Sequence, residues 1–436
     1  MKTVDTSEKC PEYRGFLLKH RLFADQYDAK EIVAAFHSEM EKGLAGNQSS
    51  LAMIPSYISV PETPPKNQKI IVLDAGGTNF RTALVRFDKE SVPHIDYFAN
   101  NPMPGIDKEV TREEFFGQIA GFLAPVLKES KRLGFCFSYP AAIDRSRDGT
   151  LLYWTKEIKA PGVVGRKILA NLAETLRKRN LPVPEAMLVC NDTVASLMAG
   201  VAAVKFSPRY NYAGFILGTG TNTSYVEANE NITKEKDLKA DGSQAINVES
   251  ANFSKIERGD IDIAFDKTTS SPGKYTFEKM ASGAYLGPLC HAALKTAAVE
   301  GLVSPAAARC FEKIEVLPTK NLDAILNGPF KKGPEFSGLP QQDISAIGAI
   351  ASAIVERAAK LTAINLAAAI LKSAGTGPAK KKVCVCADGS VYHKLHSFRE
   401  QAEKHLARIL KPHNVEYDIV KVDEAPIIGT AVADLT

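Results

Sequence analysis

At 436 residues the chain is longer than a single hydrophobic core usually supports, which predicts two domains. Its 54 basic and 50 acidic residues leave a charge of +4, too small to imply a nucleic-acid partner, and the short basic runs at 177–179 and 380–382 read as solvated surface. Seven dispersed cysteines with no C-x-x-C pair, an opening without the apolar stretch of a signal peptide and no bilayer-length apolar run predict a cytoplasmic protein with no membrane partner.

Near the start, Asp28 is suited to cap a helix whose Ile32, Val33, Phe36 and Met40 fall on one face. A proline-rich stretch, residues 59–68, ends this helical region and leads into a strand. From Lys69 onward strand-like and helix-like segments alternate, with strands at 70–74, 133–139 and 186–190, the pattern of an α/β protein. Residues 349–372 are rich in Ala, Ile and Leu with few charges, which predicts a helix buried between layers. Cys384 and Cys386 alternate within VCVCAD, so they share one face of a strand instead of forming a metal-ligand turn.

Two segments echo each other. IVLDAGGTNFRTALV (71–85) and GFILGTGTNTSYVE (214–227) each read as an apolar strand, a glycine-rich turn ending Gly-Thr-Asn, and a second strand. Asn79 and Asn222 mark the corresponding positions, 143 residues apart. That spacing is too long for a solenoid and fits a duplicated α/β unit with a cleft between the copies.

The glycine turns match neither common phosphate motif. No G-x-x-x-x-G-K-S/T occurs, and in GTGTNT the third glycine of the dinucleotide fingerprint is Thr223, followed by strand where that fingerprint opens a helix. Two β-hairpin tips remain. Glycine lets a backbone come close to a phosphate and aim its N–H groups at it, and Thr78, Thr219 and Thr221 add hydroxyl donors. Asp74 ends the first strand, where it is suited to hold Mg²⁺ through the ion's water shell. Either turn alone is explained as well by an ordinary hairpin; the pairing of two, one preceded by an aspartate, favours phosphate.

These segments resemble the hexokinase family. LDAGGTNFR (73–81) and LGTGTN (217–222) are similar to its two phosphate motifs. LGFCFSYPA (133–141) with GTLLYWTK (149–156) resembles its sugar-binding signature, and VCNDTVASLMAG (189–200) the segment with the catalytic aspartate. FEKMASGAYLG (277–287) and ADGSVYHKLHSF (387–398) resemble the second sugar glutamate and the adenosine loop. The motifs follow the family's order and cover most of the chain.

The resemblance implies an α/β fold of two actin-like, ribonuclease H-like domains flanking a deep substrate cleft. The small domain would span 69–194, rejoined by about 424–436; 1–68 and 195–423 would form the large one. It implies an ATP:hexose 6-phosphotransferase, the first enzyme of glycolysis, acting on glucose and also on mannose or fructose, with Mg²⁺ entering as MgATP. Asp192 becomes the general base, with Lys156 beside it in the catalytic set. Ser138, Thr155, Lys156, Asn191, Asp192, Asn222, Glu249 and Glu278 become the hexose ligands. Asp74, Gly76, Gly77, Thr78, Asn79, Arg81, Gly218, Thr219, Gly220, Thr221, Gly389, Ser390 and Val391 would hold ATP. Read without the family, Asn191, Asp192 and Thr193 are all suitable helix caps, and a helix N-terminus also suits the ionised carboxylate that a base requires.

Departures from the family pattern gather around the sugar. Ser250 and Ala251 follow Glu249 where an aromatic and a glycine are usual, Ile143 replaces glutamine, Glu157 glycine and Pro288 glutamate. They leave the choice of hexose open. A non-catalytic sugar sensor and a related actin-fold kinase of another sugar are the competing readings; intact phosphate turns with Asp192 oppose the first, and the paired Glu249 and Glu278 the second. Trp154, the only tryptophan, adjoins Thr155 and Lys156 and is expected to report closure of the cleft on sugar.

Overall fold

The computed structural model describes residues 11–154, 158–327, 336, 338–375 and 381–436. Its strands in chain order are β1 (Ile54–Pro55), β2 (Gln68–Ala75), β3 (Asn79–Phe87), β4 (Pro93–Pro102), β5 (Arg132–Phe137), β6 (Ala141–Ile143), β7 (Gly149–Leu151), β8 (Ala186–Cys190), β9 (Tyr210–Leu217), β10 (Thr221–Ala228), β11 (Ser243–Asn247), β12 (Lys382–Asp388) and β13 (Tyr417–Val420).

They form two large sheets of one design. The first runs β4-β3-β2-β5-β8 and the second β1-β11-β10-β9-β12-β13. In each, three antiparallel strands joined by hairpins are followed by two parallel strands: β2 pairs with β5 and β5 with β8, as β9 pairs with β12 and β12 with β13. The duplication suggested by the two glycine turns is therefore present in the strand order. The inner strands are buried nearly end to end, as strands covered on both faces must be.

Helices fill the space around and between the sheets. Asp28 caps the helix Ala29–Leu44, its side chain accepting from Glu31 N at 2.9 Å, and Val33, Phe36 and Met40 are buried as the pattern predicts. The alanine-rich helix extends beyond the expected 349–372, from Gln341 to Ala374. Its first turn is polar: Gln341 and Gln342 are exposed, and the buried Asp343 accepts from the backbone N–H of Ser304 at 2.7 Å. Further along, Arg357 is fully buried and makes a forked pair with Asp262 at 2.7 and 2.8 Å. Between the sheets lie the helices Asp192–Ala203 and Ala425–Ala433, packed on each other. The first lies against β9 and the second against β2 and β5, so a single apolar cluster holds Val72 and Leu188 from one sheet and Tyr212 and Ala245 from the other.

Candidate active site

The first glycine turn is a tight hairpin between β2 and β3. Gly76 N donates to Asn79 O at 3.2 Å, leaving Gly77 and Thr78 at the tip. The Tyr139 hydroxyl donates to Gly77 O at 3.1 Å and Met103 N to Thr78 O at 2.9 Å, so the tip's carbonyls are held. Asp74 and Arg81 face each other across the ladder, and Arg81 Nη1 donates to Asp74 Oδ2 at 2.9 Å. Asp74 is only 3% exposed. Burial pushes its carboxyl up to about 6 against the pull of Arg81, and the charge of Asp192 adds to the rise. Ser138 follows β5 and donates its N–H to Ala75 O at 3.2 Å, which puts it beside this turn.

Asp192 opens its helix without capping it. Of the three cap candidates Asn191 takes the role, its side chain accepting from Thr193 N at 2.8 Å. The Asp192 carboxylate accepts from the Thr193 hydroxyl at 3.3 Å.

The second turn is one residue tighter. Gly218 N donates to Gly220 O at 2.9 Å, with Thr219 alone at the tip. Asn79 and Asn222 are therefore not equivalent, contrary to the sequence alignment of the turns. Asn79 closes the first turn and is exposed, its amide donating to the Thr78 hydroxyl at 3.3 Å, whereas Asn222 lies two residues beyond Gly220 and is half-buried. Two segments brace the second turn. Gly283 N and Ala284 N donate to Gly218 O and Thr219 O at 2.8 and 2.9 Å. On the other side Gly389, at φ 109°, comes so close that a Cβ there would lie 2.2 Å from Leu217 O, and Ser390 and Val391 follow as a short helix begins.

Thr221 turns inward. Its N–H donates to Glu278 Oε2 at 3.0 Å and its hydroxyl is buried, so it ties the second glycine turn to the Glu278 carboxylate and does not face open solvent. Glu278 belongs to the helix Thr276–Ala281 and Glu249 follows β11 in a left-handed conformation, φ 58°. Burial pushes Glu278 up to about 7, with Glu249 adding to the rise and the Thr221 N–H opposing it. Glu249 is likewise raised by burial and by Asp192, against the hydrogen bond from Asn247. Glu249 thus acts on Glu278, and Asp192 on Glu249, and raised carboxyls grouped in this way are characteristic of functional sites.

Asn247, which the sequence reading missed, organises this cluster. Its Nδ2 donates to Glu249 Oε1 and its Oδ1 accepts from Asn222 Nδ2, both at 2.8 Å. The available signal was position, since residues two apart at a strand end share a face. Ser250, one of the departures from the family pattern, is fully buried: its hydroxyl lies 3.1 Å from that of Thr223, which accepts from Asn365 Nδ2 at 2.7 Å. Thr155, Lys156 and Glu157 lie outside the described residues.

Among the described residues no three His, Cys, Asp or Glu side chains converge into a metal cage. Asp74 stands as a single carboxylate beside the first glycine turn, a donor set that suits a cation carried chiefly by water and ligand oxygens. A cavity of about 850 Å³ lies elsewhere, among residues 57–63, 237–244 and the C-terminus, and includes none of these carboxylates.

Two hexokinase family models match the chain, over residues 18–202 and 212–436, and the gap between them runs from the end of the Asp192 helix into the start of β9. The chain belongs to the hexokinase family. A hexokinase of Schwanniomyces occidentalis is 30% identical, covering 93% of this chain and 88% of its own length. Hexokinase-1 of Saccharomyces cerevisiae is 29% identical, covering 90% and 84%. Among solved structures, the Schistosoma mansoni hexokinase complexed with glucose superimposes with a TM-score of 0.79 at 25% identity, covering 97% and 98%. A glucokinase from an Antarctic psychrotroph, at 17% identity and a TM-score of 0.52, shares the fold. The two sheets with their helices are thus the paired actin-like domains of this hexokinase-family enzyme, which phosphorylates sugar. Kinases of the hexokinase family take the phosphoryl group from ATP with a divalent metal. Among the described residues no helix is long and apolar enough to cross a membrane.

Proposed function

We propose that this enzyme transfers the γ-phosphoryl group of MgATP to the 6-hydroxyl of glucose, accepting mannose and fructose as well, and that Asp192 is the general base. The observation that carries this reading is the place of Asp192 at the start of the helix packed between the two sheets, where its charge raises both Asp74 beside the first turn and Glu249. A base for phosphoryl transfer has to stand between nucleotide and acceptor in this way. The glucose complex of the Schistosoma mansoni relative supports glucose as the acceptor.

In this account Asn222, Glu249 and Glu278, with Ser138, Asn191, Thr155 and Lys156, bind the hexose hydroxyls and fix the acceptor oxygen beside Asp192. Asp192 takes the hydroxyl proton as that oxygen bonds to the γ-phosphorus, and the bond to the ADP oxygen breaks. The backbone of the two glycine turns, with Thr78 and Thr219, holds the phosphates, and Gly389 to Val391 border the adenosine. Mg²⁺, held through water by Asp74, would neutralise phosphate charge when bound. Arg81 keeps the Asp74 carboxylate aimed for that task.

We also propose the domain limits 69–194 with 424–436 against 1–68 with 195–423, and a cytoplasmic enzyme at the entry to glycolysis. The test is ADP release by purified enzyme and MgATP across a hexose panel. Release that depends on hexose, with the highest kcat/KM for glucose, is expected; a preference for N-acetylglucosamine or a non-hexose overturns the substrate, and release indifferent to sugar overturns the kinase reading.

A further inference from the structure

Tyr153 and Tyr275 come from opposite halves of the molecule, 122 residues apart, and their hydroxyl oxygens lie 3.1 Å apart. Tyr153 follows β7 in the first-sheet half and is 47% exposed. Its backbone is anchored by its neighbour: Trp154 Nε1 donates to Ala160 O at 2.7 Å, and the indole packs edge-on to Tyr139 at 4.8 Å. Tyr275 immediately precedes the helix Thr276–Ala281, three residues before Glu278. It is held at φ 53°, a left-handed conformation that an aromatic residue seldom adopts and that tends to be retained at functional sites. The Tyr153 hydroxyl, burial, and the charges of Glu249 and Glu278 all push the Tyr275 phenol up.

We propose that Tyr153 and Tyr275 form a clasp across the mouth of the hexose site and act as specificity-determining residues, retaining unsubstituted hexoses and shutting out those that carry a bulky acylamino group. The proposal rests on Glu249 and Glu278 being hexose ligands. Either hydroxyl serves as donor, so the bond opens and remakes readily, while the two rings narrow the passage whenever it is closed.

The test uses the full chain with Tyr153→Phe, Tyr275→Phe, the double Phe variant and Tyr275→Ala. Isotope trapping, in which bound labelled glucose is chased with MgATP and unlabelled glucose, reads how fast the sugar escapes. One shared hydrogen bond predicts that each Phe variant and the double variant release glucose faster by the same factor, about 3- to 10-fold. Removing the ring in Tyr275→Ala should raise kcat/KM for N-acetylglucosamine relative to glucose by at least about 10-fold. Unchanged release, single effects that add in the double variant, or an unchanged sugar ratio in Tyr275→Ala overturns the clasp. Unmodified enzyme that traps and phosphorylates no hexose overturns the substrate reading instead.

Discussion

Asn247 donates its side-chain amide to the Glu249 carboxylate at 2.8 Å. The same side chain accepts from Asn222 at 2.8 Å, so one asparagine sets the orientation of two proposed hexose ligands. Replacing it with Ala removes two hydrogen bonds, each of about 1 kcal/mol, and should raise KM for glucose roughly 10- to 30-fold. KM for ATP should change far less. Steady-state kinetics with each substrate varied in turn checks this; equal losses on both would make Asn247 a general stabiliser.

Glu278 predicts a pH dependence of stability. Its folded carboxyl titrates at about 7, above its ordinary value of 4.5, so the folded state binds the proton more tightly than the unfolded chain. Its contribution is fully present below pH 4.5 and is lost as pH rises toward 7. Glu278→Gln should remove that slope. Urea unfolding of both proteins in the absence of sugar, from pH 4.5 to 7.5, should show the difference between them growing in favour of the variant; parallel curves contradict it.

Gly283 supports the second glycine turn, proposed to hold phosphate, from behind. A Cβ added there would lie 2.6 Å from Gly218 O and 2.7 Å from Val391 Cγ2. Gly283→Ala should displace the turn, with a cost of about 1–3 kcal/mol in stability. KM for ATP should rise more than KM for glucose, as measured by kinetics alongside thermal unfolding.

Trp154 sits in the aromatic cluster of Phe115, Phe137 and Tyr139, and the Tyr139 hydroxyl holds the first glycine turn at Gly77 O, 3.1 Å away. Sugar that draws the two halves together should alter this packing. Titration with glucose in the absence of ATP should change tryptophan emission, and ATP alone should not. A signal that ignores glucose at concentrations saturating turnover makes Trp154 a fixed core residue.

Local features were legible in the sequence: the Asp28 cap, both glycine hairpins, and the buried alanine-rich helix apart from its polar start. Each depends on neighbours a few residues away. What escaped depends on distant partners. Nothing near Asn247 in the chain announces Asn222, 25 residues earlier. Nothing near Gly283 announces that its N–H supports Gly218, and the turns that look alike in letters differ because one is a residue tighter. The cap role of Asn191 over Asp192 was open for the same reason, since all three NDT side chains suit it. Glu278 reads alone as an exposed helix residue; only the fold sets it, half-buried, against Thr221.

The central claim is that Asp192 is the base in a hexose kinase, and Asp192→Ala tests it most directly. Asn191 carries the cap, so the helix keeps its N-terminal hydrogen bond when Asp192 is shortened. The measurement is kcat for glucose phosphorylation beside the glucose dissociation constant, on unmodified enzyme and variant. A lost general base predicts a fall in kcat of at least about 10²-fold, with glucose binding weakened by far less. A variant that still binds glucose and turns over near the normal rate contradicts the account.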